Sequence, residues 1–210
     1  MTAKYDISEV WDPRFVNNLI MALLGAIEVK DSYIQGHGKR VTEICLAIGQ
    51  KMNFSQIELR DLYVGAVLHD VGKIVGTDEE LLNKPERLDQ REEIIMREHP
   101  LKGGLLVVGM ENLSHILPAI LHHHERWDGK GYPAKLKEEQ IPLHARIIAI
   151  ADAYEAMVSP RSYREALSHE QAIEVLKKEK GGQFDPDIVD ILISCLEESP
   201  HEFKDFSYYF

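Results

Sequence analysis

The 210 residues suffice for one domain with a full hydrophobic core and fall short of two of ordinary size. Apolar residues make up 44% and charged residues 28%, the balance of a soluble globular chain, which excludes a disordered or collagen-like one. A net charge of −11 argues against binding along long nucleic acids, which basic surfaces drive by displacing counterions, but leaves room for a small anion held by a few Lys and Arg side chains.

Residues 1–13 are expected to form an N-terminal tail. Met1 to Val10 carry two acids and no apolar block, so they do not read as a secretory signal. The main domain is expected over 14–198 and opens with a helix from Arg14 to Lys30. The longest apolar run, Leu19 to Ile27, holds nine residues, where a bilayer span needs about 20, so no membrane helix is expected. Val41, Ile44, Cys45 and Ile48 follow the i, i+3, i+4, i+7 stripe of an amphipathic helix. Ser55 with Glu58, Asp89 with Glu92, and Ser168 with Gln171 have the spacing of capping boxes, and Asp185 before Pro186 suits an N-cap and first helical position. Further helices are expected from Asn112 to His124 and from Ala145 to Met157. Two long loops, Gly72 to Pro85 and Trp127 to Pro142, separate them, and Gly129 and Gly131 are expected to permit positive φ in the second. Strand-like alternation is hard to find, so the reading is all-α, closed by an aromatic-rich tail at 199–210. Cys45 and Cys195 lie in apolar, helix-like stretches, which suits buried free thiols and a reducing cytoplasm.

Polar residues end three of the apolar stripes. Leu59, Leu62, Tyr63 and Ala66 lead to Asp70, with His69 seven residues after Leu62. Leu113, Ile116, Leu117 and Ile120 lead to His124, with His123 seven residues after Ile116. Asp152 follows the run Ile147 to Ala151 in a helix apolar enough to be largely buried. A single buried His or Asp is ordinarily a hydrogen-bonded core residue or a cap. Several imidazoles and carboxylates on separate core-facing helix ends suit a bound cation, and without thiolates the set favours iron, manganese, nickel, cobalt or zinc over calcium.

The segment Leu68-His-Asp-Val-Gly-Lys-Ile74 resembles the HD signature, and His123-His-Glu-Arg-Trp-Asp-Gly-Lys-Gly-Tyr-Pro133 resembles the extended signature of HD-GYP phosphodiesterases. Around them, in the family's order, stand Gly36-His-Gly-Lys-Arg-Val41, Asn83-Lys-Pro85, Glu98-His-Pro100, Ala151-Asp-Ala-Tyr-Glu-Ala156 and Arg161-Ser-Tyr-Arg164. The resemblance runs from Asn17 to Leu196. It implies a helical HD core extended by C-terminal GYP helices, and hydrolysis of cyclic di-GMP to pGpG or GMP by a hydroxide bridging two divalent metal ions, iron or manganese. Carried over by position, it makes His37, His69 and Asp152 ligands of one metal, Asp70 the bridge, and His99, His123 and His124 ligands of the other. His122 falls outside the motif and is assigned to the surface or to support of a ligand. A Glu that supplies a third metal in some members is Tyr33 here, so two metals are expected, and Ser162 replaces a frequent Pro.

Asp70 and Lys73 are the expected catalytic residues, Lys73 reaching a non-bridging phosphate oxygen. The resemblance gives Arg161 and Arg164 the grip on phosphate and Tyr132 the shaping of the pocket. For Glu125 and Asp128 two readings stand, orienting the metal-bound histidines from behind or pairing with surface cations. Two other functions compete: an HD-type di-iron oxygenase, which the GYP signature argues against, and a binding module that docks a diguanylate cyclase through the GYP loop. A related cyclic dinucleotide such as 3′,3′-cyclic GMP-AMP fits the chemistry equally, and a second copy of the chain is left open as a partner.

Overall fold

The computed structural model describes residues 13–31, 36–84, 86–160 and 165–198. These build ten α-helices: α1 (Pro13–Lys30), α2 (His37–Lys51), α3 (Gln56–Leu68), α4 (Glu79–Leu82), α5 (Gln90–Met96), α6 (His99–Val107), α7 (Leu117–His122), α8 (Leu143–Val158), α9 (His169–Lys178) and α10 (Pro186–Glu198). Among the described residues there is no strand beyond an isolated bridge between Lys180 and Phe184, and no helix is long and apolar enough to cross a membrane. The all-α expectation holds. The tails at 1–12 and 199–210, Tyr33, and the Arg161 to Arg164 segment lie outside the described residues.

All three capping boxes form. Ser55, Asp89 and Ser168 accept backbone N–H groups at the starts of α3, α5 and α9, while Glu58, Glu92 and Gln171 reach back to the cap residues' own N–H. Asp185 accepts from the N–H of Asp187 at 2.9 Å and starts α10 in the same way.

Two apolar clusters make the core. One joins α2, α3, α8, α9 and α10 through side chains such as Ile44, Leu62, Ile147, Leu176 and Leu192; the other joins α1, α3, α6 and α7 through Ile27, Val67, Leu68, Val107 and Ile120. α3 serves both, because Leu62 and Ala66 face the first cluster while Val64, Val67 and Leu68 face the second. The last two turns of α3 are apolar and buried on both sides, so the end of α3 brings His69 and Asp70 into the interior. The stripe Val41, Ile44, Cys45 and Ile48 is fully buried as expected.

Two elements differ from the sequence reading. The expected helix from Asn112 to His124 is split into a 3-10 segment, Glu111–Ile116, and α7, with Pro118 in the first turn of α7, where its missing N–H costs nothing. The expected loop from Gly72 to Pro85 opens with a 3-10 turn, Val71–Ile74, and contains α4. No expectation was set for α6, whose Leu101 and Leu105 face solvent while Gly103, Gly104 and Val107 are buried. Glycine lets α6 sit close; a Cβ on Gly104 would meet Leu121 Cδ2 at 2.5 Å.

The tightest approach is between the 3-10 turn and α6. A Cβ on Gly72 would stand 1.9 Å from the carbonyl oxygen of His99 and 2.5 Å from the amide nitrogen of Gly103, both backbone atoms that cannot step aside. Gly72→Ala should therefore destabilise the fold by about 3 kcal/mol or more, as overpacking against backbone does. A denaturation midpoint within experimental error of the parent protein would contradict this packing.

Candidate metal centre

Three histidines sit where a helix runs out of internal hydrogen bonds. His69 caps α3, His123 caps α7, and His99 follows the end of α5 by three residues. The last carbonyls of a helix have no partner within it, and each ring takes one. His69 Nδ1 donates to Ala66 O (2.6 Å), His99 Nδ1 to Met96 O (2.7 Å) and His123 Nδ1 to Ile120 O (2.8 Å). A carbonyl oxygen only accepts, so the proton of each neutral ring is on Nδ1 and the lone pair on Nε2.

These lone pairs converge. His99 Nε2 lies 3.2 Å from both His123 Nε2 and His124 Nε2, and His69 Nε2 is buried without a hydrogen-bond partner. Asp70 stands among them, with Oδ1 3.2 Å from His99 Nε2 and Oδ2 3.4 Å from His69 Nε2. Across the site, His37 Nε2 meets Asp152 Oδ1 at 3.3 Å. Two groups of donor atoms result, one from Asp70, His99, His123 and His124 and one from His37, His69 and Asp70, with the atoms of each lying within 4.8 Å of one another. Asp70 is common to both.

Burial, together with the neighbouring rings, pushes His99 and His124 down to about 3 and His123 well below its ordinary value. Burial also opposes charge on His37, yet its hydrogen bonds to Asp152 and Glu155 raise it to about 9. Against their own burial, Asp70 is held well below the carboxylate range by Lys73 and His69, and Asp152 by His37. Ionised carboxylates and neutral imidazoles are the forms that bind divalent metals; His99, His123 and His124 are held in that form, while against burial Asp70 raises His69 as Asp152 and Glu155 raise His37, so an ion in that half would take the place of the protons on those two rings. The residues fit a metal centre of nitrogen and oxygen donors.

Comparison with known proteins agrees with this geometry. Residues 23–188 match the family described as HD domain. The chain belongs to the HD domain family. Within it the chain is of the HD-GYP type, with signature residues at His69-Asp70 and Gly131-Tyr132-Pro133. It is 39% identical over 173 residues to the cyclic di-GMP phosphodiesterase response regulator RpfG of Xanthomonas campestris, covering 81% of this chain and 46% of that protein. It is 34% identical over 182 residues to the 3′3′-cGAMP-specific phosphodiesterase 2 of Vibrio cholerae, covering 86% and 35%. The chain thus spans less than half the length of these relatives. Among solved structures, the HD domain of the Listeria monocytogenes phosphodiesterase PgpH in complex with cyclic-di-AMP has the same fold, with a TM-score of 0.63 at 21% identity over 88% of this chain and 97% of that one.

In this HD domain the donor atoms open onto a cavity of about 470 Å³ whose lining includes His37, Asp70, Lys73, His99, His124, Tyr132 and Asp152, together with Lys84 and Arg87. Lys73 Nζ is 2.6 Å from Asp70 Oδ2, so the cation expected to meet phosphate leans on the shared carboxylate. Tyr132 stacks on His124 with centroids 4.9 Å apart, and the Arg97 guanidinium lies 5.3 Å from the Tyr132 ring. Burial keeps the Tyr132 phenol protonated by raising its pKa. Arg161 and Arg164 lie outside the described residues.

Of the two acids with open readings, Glu125 takes neither and Asp128 takes one. Glu125 is buried and accepts the N–H groups of Ala134 (2.7 Å) and Leu136 (3.2 Å), fastening the GYP loop; His122 approaches it at 3.6 Å, but neither His123 nor His124 does. Asp128 pairs with Arg126 at 2.9 Å and also bonds the N–H of Lys130, taking the second of its two readings. Gly129 has φ 77° as expected, but Gly131 is required for a different reason: its Cβ would lie 2.4 Å from Arg126 N and 2.6 Å from His124 O. Three buried charges bordering the site were not anticipated: Asp31, Arg40 and Glu155. Spacing held a signal for two of them, since Arg40 follows His37, and Glu155 follows Asp152, by three residues on one helix.

Divalent metal should stabilise the chelator-treated protein. At a free ion concentration about 100 times the dissociation constant, linkage supplies about 2.7 kcal/mol, or about 5 to 10 °C in Tm for a chain of this size. A melting curve unmoved by saturating Mn2+, Fe2+ and Zn2+ would count against a metal centre.

Proposed function

We propose that this chain is a metal-dependent phosphodiesterase that hydrolyses a cyclic dinucleotide, cyclic di-GMP in the first instance, to pGpG or GMP. The observation that carries the reading is the convergence of lone-pair nitrogens and one shared carboxylate, Asp70, at the floor of a cavity that also holds a lysine. Relatives named as phosphodiesterases of cyclic di-GMP and of cyclic GMP-AMP support the substrate class. In this reading His37, His69 and Asp152 hold one divalent ion, His99, His123 and His124 another, and Asp70 both, with iron or manganese suiting the donor set.

When bound, the ions' contribution is Lewis acidity at the phosphoryl oxygens and a lowered pKa for the attacking water. The chain's own residues do the rest. Asp70 keeps its negative charge despite burial and so holds its place between the two halves of the centre. Lys73, already beside Asp70, needs only a small swing of its flexible stem to meet charge developing on a phosphate oxygen. Tyr132, held by its stack on His124, lines the cavity and would shape the wall against which the substrate lies, and Arg161 and Arg164 would supply further cations for phosphate.

Two substitutions separate metal binding from catalysis. Asp70→Ala should lose metal by elemental analysis and abolish hydrolysis, whereas Lys73→Ala should keep its metal and lose turnover about 30- to 1,000-fold, corresponding to about 2 to 4 kcal/mol of transition-state stabilisation. Full metal content and near-normal turnover in Asp70→Ala would defeat the shared-ligand role, and unchanged kinetics at saturating substrate would remove Lys73 from catalysis. Assays of cyclic di-GMP and 3′,3′-cyclic GMP-AMP side by side, with mono- and dinucleotide products resolved, would show which substrate is preferred and where hydrolysis stops.

Nuclearity is set by Tyr33 in this reading. A phenol with an ordinary pKa near 10 is a poor ligand for a hard divalent ion, so two ions should saturate the centre. Anaerobic crystals grown with excess Mn2+ should give two anomalous peaks among His37, Asp70, His99 and Asp152. A third well-occupied peak beside Tyr33 would overturn the two-metal assignment.

A further inference from the structure

His37 is the first residue of α2. The first turn of a helix presents spare N–H groups and no spare carbonyls, so His37 cannot be locked by its own helix in the way that the ends of α3, α5 and α7 lock His69, His99 and His123. Its Nδ1 is instead 2.5 Å from Glu155 Oε2, a carboxylate on α8 that is 1% exposed. The other oxygen of Glu155 accepts Arg40 Nε and Nη2, each at 2.7 Å, and Ser159 Oγ, also at 2.7 Å. The carboxylate is thereby immobilised with one oxygen turned to the ring. Asp152 stands one helical turn before Glu155 on α8 and meets the opposite ring nitrogen, Nε2, at 3.3 Å. One helix grips both nitrogens of His37.

We propose that Glu155 is a positioning residue of the metal centre: it keeps a proton on Nδ1 of His37, so that Nε2 turns its lone pair towards the ion shared with His69, Asp70 and Asp152. The assignment rests on the metal-centre reading above and goes beyond it by distinguishing the two halves of the centre. Three histidines donate Nδ1–H to neutral carbonyls, whereas His37 donates to an anion, which makes its Nε2 the more basic donor and ties the affinity of that half to Glu155.

Glu155→Gln reverses the instruction while keeping the shape. Arg40 has only donors to offer and takes the amide oxygen, which leaves the amide NH2 facing Nδ1. That group donates, so the ring must carry its lone pair on Nδ1 and its proton on Nε2, the wrong arrangement for the ion.

The test uses the full chain and two metal probes. In chelator competition with Mn2+, wild-type protein should bind two equivalents. Glu155→Gln should bind one of them as before and the other about 10- to 100-fold more weakly. In zinc-loaded protein with 15N-labelled histidine, the wild type should show one ring bound through Nε2 with its Nδ1–H hydrogen-bonded to a carboxylate, and Glu155→Gln should lack that signal. Two undiminished equivalents in Glu155→Gln, with the signal intact, would overturn the assignment. If this variant does not fold, the zinc-loaded wild type still decides, because a His37 ring bound through Nδ1, or left unbound in a chain that takes up zinc, overturns it equally. Wild-type protein that takes up neither metal would instead sink the metal-centre reading itself, and this assignment with it.

Discussion

An unpaired carbonyl at the end of a buried helix must find a donor, and in this chain the donor is an imidazole. Leaving such a group buried and unsatisfied costs about 1 to 3 kcal/mol, so the bonds from His69, His99 and His123 to Ala66, Met96 and Ile120 serve the fold before they serve any chemistry. Their consequence is chemical all the same. With Nδ1 committed to a carbonyl, each ring has only Nε2 to offer, and the three helix ends aim those nitrogens at one another. The Nε2 lone pairs of His99 and His123 face each other at 3.2 Å, an arrangement that a cation between them would relieve. Asp70 occupies the centre for the complementary reason. It arrives at the end of α3, whose buried last two turns carry it inward, and ionised at that depth it requires positive charge nearby.

The same reasoning explains how much of the site could be read from the sequence. Stripes that end in His or Asp were legible because helical periodicity predicts inward direction, and Asp70, His123, His124 and Asp152 were found this way. His37 and His99 stand at helix starts, where no stripe leads up to them, and only the resemblance to HD-GYP motifs picked them out. The capping boxes were legible because the cap and its partner are three residues apart. α6 was not, because its leucines face solvent and glycines fill its inner face, so the usual amphipathic signal points the wrong way. Gly131 was singled out for the wrong property: sequence suggests backbone freedom, whereas the tertiary structure demands the missing Cβ. Glu155 and Arg40 are the plainest omissions. A buried ion pair joining α2 to α8 across 115 residues leaves no local trace beyond each partner's place three residues after a ligand on the same helix.

What the C-terminal helices contribute is support. None of the proposed metal ligands lies on α9 or α10, yet the loop carrying Tyr132 hangs from the turn between them: Trp127 N donates to Gln183 O at 3.0 Å and Asp128 N to Gly182 O at 2.9 Å, while Arg126 reaches the side chain of Gln183. Arg146 of α8 lies over the Trp127 ring at 5.7 Å and holds Asp185, the cap of α10, at 2.6 Å. The loop is next fastened to itself by Glu125 and to the end of α7 by the bond from Tyr132 N to His124 O at 3.2 Å. Tyr132 stacks on His124, so the position of that imidazole depends on a chain of contacts running back to α10. The helical extension and the HD core therefore form one mechanical unit. Backbone hydrogen bonds thus tie the α9–α10 turn to the loop that carries the Tyr132–His124 stack, although no residue of that turn is among the proposed ligands.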